Sequence, residues 1–366
     1  MEQPRAPGVH AMRHTTGIQW THVEGYVGAT WNPTVGCSRV SPGCDNCYAF
    51  QLHDQRYASN LRVAREAIQQ FPAVDAGWRT GTALIELVRA RLSQVPLLAP
   101  QYDRPFSQVQ MLDEKRLTAP LRTRKPHAYF VDSMADLFHE DVSRDFLDVV
   151  FGVMALSPQH IFMVLTKRPA WMRAYMLSSA DAVEGTYDAL AAERGWHGAP
   201  FAWPLPNVWL GVSAEDQQRA DERIPLLLDT PAAMRFVSAE PLLGPIKFHN
   251  SQRSWLRPWR PETLLPAVGY EGDRKPWVPA LDWLIIGGES GARARPFDFA
   301  WARDIVAQCR FAGVAPFVKQ LGAVPIGRWS ADLHVGDESI HFRLRNRHGS
   351  DVAEWPEDLR VREFPR

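Results

Sequence analysis

Apolar residues in this chain fall into short, nearly unbroken runs that end in polar residues, with amphipathic stretches between them. The run at 128–131 leads into Asp132, Ser133 and Asp136, and the run at 160–165 ends in Thr166, Lys167 and Arg168. Later runs end in Ser213 and Glu215, in Ser238 and Glu240, in Gly287, Gly288 and Glu289, and in Lys319 and Gln320. Between them lie helical patterns. Residues 144–156 carry Phe146, Leu147, Val150, Val153 and Met154 along one side, with Ser143 as N-cap and Ser157-Pro158 as the stop. A second helix is predicted around 220–228, and a third over 301–312 before Gly313.

Near-continuous apolar strands that alternate with helices predict a parallel sheet with both faces covered. With a short strand at 29–34 there are seven candidates. The expected fold is therefore α/β, a full or partial (β/α) TIM-like barrel. Function in such a barrel gathers at the C-terminal strand ends, so the polar residues named above should converge on one mouth. Individually, Asp132 and Asp136 could instead cap a turn, and Glu215 could meet a helix dipole.

Composition narrows the class. The chain has 366 residues, 45% hydrophobic and 22% charged, which fits a globular protein and excludes disorder. Lys+Arg and Asp+Glu both number 41, so any contact with nucleic acid needs a local basic patch rather than an overall excess. No apolar run approaches the ~18 residues of a membrane span. The N-terminus lacks the shape of a signal peptide, and a cytoplasmic protein is expected.

Three of the four cysteines cluster as Cys37-x6-Cys44-x2-Cys47, with Pro42 and Gly43 in the turn. In a reducing compartment such spacing reads as a metal site. Zinc would want a fourth ligand, with His53 or the remote Cys309 as candidates. An iron–sulfur cluster is normally held by four cysteines. Three would leave one iron open, the arrangement with which radical S-adenosylmethionine (SAM) enzymes bind SAM. Both metals remain open at this point. Cys309 lies on the apolar face of its helix and reads as a buried small hydrophobe. Walker A, GxGxxG, HExxH and GxSxG motifs are all missing from the sequence.

The combination Thr30-Trp-Asn-Pro33, Gly36-Cys37, Ser41-Pro-Gly-Cys44 and Asn46-Cys47-Tyr48-Ala49 resembles the phage Gp37/Gp68 family, also known as DUF5131. So do Ser133-Met-Ala-Asp136-Leu-Phe-His-Glu140, Leu165-Thr-Lys-Arg-Pro169, residues 235–244, Ile286-Gly-Gly-Glu-Ser-Gly291 and Phe317-Val-Lys-Gln320. That family is similar to radical SAM enzymes. The resemblance implies a barrel of the radical SAM type over 18–322, with insertions at about 61–105, 178–206 and 249–279 and a C-terminal extension over 323–366. It implies a [4Fe-4S] cluster on Cys37, Cys44 and Cys47, with SAM on the open iron. The first cysteine gap, six residues, departs from the common C-x3-C-x2-C spacing. Glu289 of the Gly-Gly-Glu segment would meet the SAM amino group by analogy.

On this reading Ser133, Ser213, Glu215, Gly287, Gly288, Glu289 and Lys319 bind cofactor, while Lys167 and Arg168 hold SAM or substrate. Glu240 or Asp136, with Lys167, would serve the chemistry. An electron donor reduces the cluster, and a 5′-deoxyadenosyl radical then abstracts hydrogen from substrate. Phage relatives suggest hypermodification of a thymidine base in DNA, specifically isomerisation of an N-linked to a C-linked glycyl-thymidine, in the host cytoplasm if the chain is phage-encoded. Lys115, Arg116, Arg122, Arg124 and Lys125, or Arg293 and Arg295, would meet the DNA, with Trp31, Tyr48 or Phe138 stacking on a flipped base. The competing classes are a non-catalytic zinc-binding nucleic-acid adaptor and a radical SAM enzyme acting on a peptide or small metabolite.

Overall fold

The computed structural model describes residues 16–196, 200–248, 254–256, 280–329 and 340–365. Seven strands form one sheet: β1 (Val27–Trp31), β2 (His127–Val131), β3 (Ile161–Thr166), β4 (Val208–Ser213), β5 (Met234–Ala239), β6 (Trp283–Gly287) and β7 (Ala315–Gln320). Every neighbouring pair is parallel, and spatial order equals chain order from β1 to β7. Without a reversal of strand order there is no switch point of the doubly wound kind. The sheet winds one way, and β1 and β7 are not hydrogen-bonded to each other, which makes it a partial (β/α) barrel.

Alternation along each strand separates two apolar layers. Ala128, Met163, Trp209, Phe236, Trp283, Ile285 and Phe317 fill the concave side. Val131, Val164, Leu210, Val237, Leu284, Ile286 and Val318 point to the helices on the other side. Burial on both faces is what made the strands read as unbroken apolar runs. The gap between β1 and β7 is filled from the N-terminal side by a short turn, Gln19–Thr21. This turn packs on β1, β2 and β7 and inserts Trp20 against Phe130, Phe236 and Trp283.

Seven longer helices are described: α1 (Tyr48–Gln70), α2 (Gly81–Arg91), α3 (Arg144–Ala155), α4 (Pro169–Ser178), α5 (Ala180–Glu193), α6 (Gln217–Leu228) and α7 (Phe299–Ala312). Three of their starts are capped by a side chain. Ser143 accepts the Phe146 amide, Asp216 the Arg219 amide and Asp298 the Ala300 amide. Gly313, with φ of 66°, closes α7. Cys309 is buried inside α7, as its periodicity implied, and burial first and Glu363 second push its thiol up to about 12.

The segment expected as an insertion at 61–105 begins inside α1, which runs unbroken through residue 61. Helices α1 and α2 form a hairpin whose seam is Ala64, Ala67, Ile85 and Val88. Within 178–206, α5 packs on α3. Gly152 of α3 faces Thr186, where a Cβ would lie 3.0 Å from that side chain. Most of 249–279 lies outside the described residues. From the C-terminal extension, Val361 accepts the Val318 amide and the Glu363 amide reaches Pro316, so the chain end pairs antiparallel with the free edge of β7. This covers an edge that would otherwise be open to pairing with other chains. Phe364 then packs on Trp283 and Phe317. Among the described residues no helix is long and apolar enough to cross a membrane.

Candidate functional site

Directly after β1 the chain turns back. Thr34–Val35 pairs antiparallel with Gln110–Met111, and the cysteine segment follows as a loop with one 3-10 turn, Pro42–Cys44, before α1. The loop lies over the C-terminal ends of the strands. There it forms one wall of a cavity of about 440 Å3 that all three of its cysteines line. Asp136, Lys167, Glu240, Ser133, Gly288, Glu289 and Lys319 line the same cavity. Ile18, Trp20, Phe130 and Leu165 supply an apolar portion of its surface. The convergence expected from the pattern is present for five of the six strand ends, and the β4 end is the exception.

Many of these polar groups serve the loop itself. Asp132 accepts the Thr34 amide and hydroxyl at 3.1 and 2.7 Å and so fixes the entry to the loop. Burial pushes its carboxyl up to about 8 against those two hydrogen bonds. The buried Arg168 donates to Asp136, to Glu140, to both oxygens of Ser38 and to the Cys37 sulfur at 3.6 Å. Asp136 also accepts the Thr166 hydroxyl and the amides of Phe138 and Lys167. Both of its oxygens are thus occupied, and it holds the loop rather than standing free for proton transfer. Arg168 is likewise consumed and does not face a ligand with a free fork. Burial and the charge of Asp136 push the Cys37 thiol up to about 11, with Arg168 acting in the opposite sense.

Ser38 and His139 look at first like a nucleophile and its base, with Nε2 2.9 Å from the serine oxygen. However, Nδ1 accepts the Asp141 amide at 3.1 Å. Burial and then the charge of Arg168 lower the histidine pKa, so the ring is neutral. The proton therefore sits on Nε2, and His139 donates to Ser38 instead of activating it.

Ser213, Glu215 and Gly287, expected at the cofactor, do not line the cavity. The Ser213 carbonyl accepts from Arg223. Glu215 is fully buried, pairs with Arg223 at 3.0 Å and accepts the Gly43 amide at 3.3 Å. A Cβ on Gly43 would stand 3.0 Å from the Glu215 carboxyl carbon, so the turn needs glycine for this approach. Gly287 backs the Glu240 carboxylate, 3.2 Å from where its Cβ would be. Glu289 lines the cavity but is held by the Arg295 amide and guanidinium and by Asn46. Burial opposes its charge, and these donors outweigh burial and lower its pKa. Arg295 also reaches the Pro42 carbonyl and Asp45. Glu289 is thus a strap for the cysteine loop rather than an open acceptor.

The groups that remain for chemistry are fewer. Glu240 pairs with Lys319 at 2.6 Å inside the cavity. Lys167 lines it and makes no ion pair among the described residues. Tyr48 lines it, is 56% exposed and donates to the Ser133 carbonyl. Ser133 donates to Asn32.

The proposed stacking residues Trp31 and Phe138 lie in the core. Trp31 packs edge-on against Phe162, and Phe138 packs near Phe151 and Tyr175. None of Lys115, Arg116, Arg122, Arg124 and Lys125 lines the cavity. Arg122, Arg124 and Lys125 lead into the N-terminal end of β2, at the far end of the sheet. His53 is buried, bonded to the Arg104 carbonyl and packed against Tyr102 and Phe106, and it does not line the cavity either.

Asn46 was named only as part of a motif, and Arg223 and His348 were not singled out in the sequence. Arg223 had a signal, because it falls on the apolar stripe of Ala220, Ile224 and Leu227, where an arginine needs a buried partner. His348 lines the cavity from the C-terminal extension and contacts the Ser290 carbonyl at 3.3 Å. Nothing local marks it.

The family described as "Protein of unknown function (DUF5131)" matches residues 15–339. This chain belongs to the DUF5131 family. It matches no curated protein and no solved structure. The matched span takes in the cysteine loop and all the strands of the sheet.

The donor set can be tested against the two metals. Among the described residues no three His, Cys, Asp or Glu side chains converge tightly enough to hold one ion. A mononuclear zinc site needs all its ligands about 2.0–2.3 Å from one point. A cluster takes each thiolate on a different iron. Three thiols line one cavity, with a cation donating to one of them, and thiolate is the donor type a cluster takes.

Proposed function

We propose that this DUF5131 chain is a radical SAM enzyme in which Cys37, Cys44 and Cys47 hold a [4Fe-4S] cluster. The supporting observation is that three thiols, a lysine with no ion pair among the described residues and a carboxylate–lysine pair line one cavity at the C-terminal end of a parallel sheet. When bound, the cluster supplies the electron that splits SAM into methionine and a 5′-deoxyadenosyl radical. Lys167 binds an anionic group, the SAM carboxylate being the natural partner. Glu240 receives a proton or a cationic amine, and Lys319 beside it holds its charge. Ile18, Trp20, Phe130 and Leu165 keep water from the reacting atoms. The cavity volume falls within the range of small-molecule sites, about 300–1,000 Å3.

For the substrate we propose a modified thymidine in phage DNA and the rearrangement of an N-linked to a C-linked glycyl group. The family resemblance carries this part. The apolar floor of the cavity suits a flipped base, and Tyr48 at the wall is the available stacking partner.

Anaerobic reconstitution tests the reading. The expected protein is brown, holds about four irons per chain, and releases 5′-deoxyadenosine from SAM in the presence of a reductant. Cys47→Ala should abolish all three properties. Colourless protein with one zinc per chain would support the adaptor instead. Turnover stimulated by a peptide or metabolite, and not by modified DNA, would reassign the substrate.

A further inference from the structure

We propose that Arg168 is a positioning residue that sets the reduction potential of the metal centre through Cys37. This rests on the reading above, in which Cys37 carries the cluster. Among the described residues, Arg168 is the one charged side chain that donates to any of the three loop thiols. Cys44 has only the Ser41 hydroxyl at 3.9 Å. The guanidinium is 6% exposed, and four of its five N–H groups are taken by Asp136, Glu140 and Ser38, so the fifth, on Nη1, stays aimed at the sulfur.

A reduced cluster carries one more negative charge than the oxidised form. A buried cation hydrogen-bonded to a ligand sulfur therefore stabilises the reduced form more, and the potential rises. Glu140 acts in the opposite sense. It sits 2.9 Å from Arg168 Nε, half-exposed, and offsets part of that positive charge. Asp136, 3.2 Å from Arg168 Nη1, acts in the same sense as Glu140, and the three residues form a charge setting around one thiolate that neither sequence spacing nor the cysteine motif discloses.

The test is a redox titration of the anaerobically reconstituted full chain, with dithionite as the one-electron donor and the spectrum of the reduced cluster as the readout. Arg168→Gln should disfavour reduction at least tenfold, a shift of ~59 mV to lower potential. Arg168→Lys, which keeps the charge and loses the fork, should fall between this variant and wild type. Glu140→Gln can still accept from Arg168 Nε, removes the compensating charge, and should shift the potential upward. A purely structural role would lower iron content without this ordering. An intact wild-type cluster whose potential is unmoved in Arg168→Gln and Glu140→Gln overturns the assignment and leaves the cluster reading standing. If Arg168→Gln takes up no iron, Glu140→Gln decides: an upward shift supports the assignment and an unchanged potential overturns it. Wild-type protein that takes up no iron removes both.

Discussion

Glu215 and Arg223 form an ion pair that is almost wholly buried behind the cysteine loop, and Glu215 also accepts the Gly43 amide. Breaking a buried pair leaves an uncompensated charge, at a cost of about 3–5 kcal/mol. Glu215→Gln should therefore lower unfolding stability by roughly 3 kcal/mol in urea titration, and the variant should lose iron faster than wild type to a chelator. Asp132 leads to a pH effect. Its carboxyl is raised from 3.8 to about 8, so the folded state keeps a proton that the unfolded state gives up. Its contribution is complete at low pH and declines as pH climbs from about 4 to about 8. Asp132→Asn should remove that decline, so wild type and variant should diverge in denaturation midpoint most at pH 8 and above. At this scale the sequence disclosed which strand ends are polar but not their partners. Glu289 and Arg295 are six residues apart and could have been paired by spacing. Arg168 and Cys37 are 131 residues apart, with two strands of the sheet between them, and only the parallel order of β1, β2 and β3 brings them together.

Among elements, the strands were the most legible part. Each of the seven apolar runs became a strand, because a sheet buried on both faces leaves no polar alternation to confuse the pattern. Helix α1 was less legible. Arg56, Arg62, Arg65 and Glu66 make its far half read as a polar insertion, whereas its narrow alanine seam against α2 holds the helix together. The edge made by Val361 and Glu363 on β7 was not legible at all, since an antiparallel bridge formed by the chain end has no local periodicity. Within the sheet, Gly211 of β4 stands opposite Phe236 of β5. A Cβ at Gly211 would fall 2.5 Å from the Phe236 ring. Gly211→Ala should therefore cost about 1–3 kcal/mol through overpacking of the concave core, measurable as a lower midpoint in thermal or urea unfolding. The same change should leave the cysteine loop and its straps in place, because Gly211 does not line the cavity.

Across the whole molecule, one direction of winding carries every strand end to one face, and the cysteine loop closes over that face. The polar side chains there divide into two groups. Asp132, Asp136, Arg168, Glu215, Glu289 and Arg295 strap the loop. Lys167, Glu240 and Lys319 remain directed at the cavity. So large an investment of buried charge in one eleven-residue loop fits a site whose thiolates must be held in position as a metal centre forms and as electrons pass. The charge is evenly balanced, and the 115–125 basic stretch does not line the cavity. Electron paramagnetic resonance of the reduced, reconstituted chain reads whether the proposed cluster keeps an iron free for SAM. The expected result is a [4Fe-4S] signal whose g-values change when SAM is added and which is lost in Cys44→Ala. A cluster spectrum indifferent to SAM, or iron retained with Cys44 removed, would contradict it.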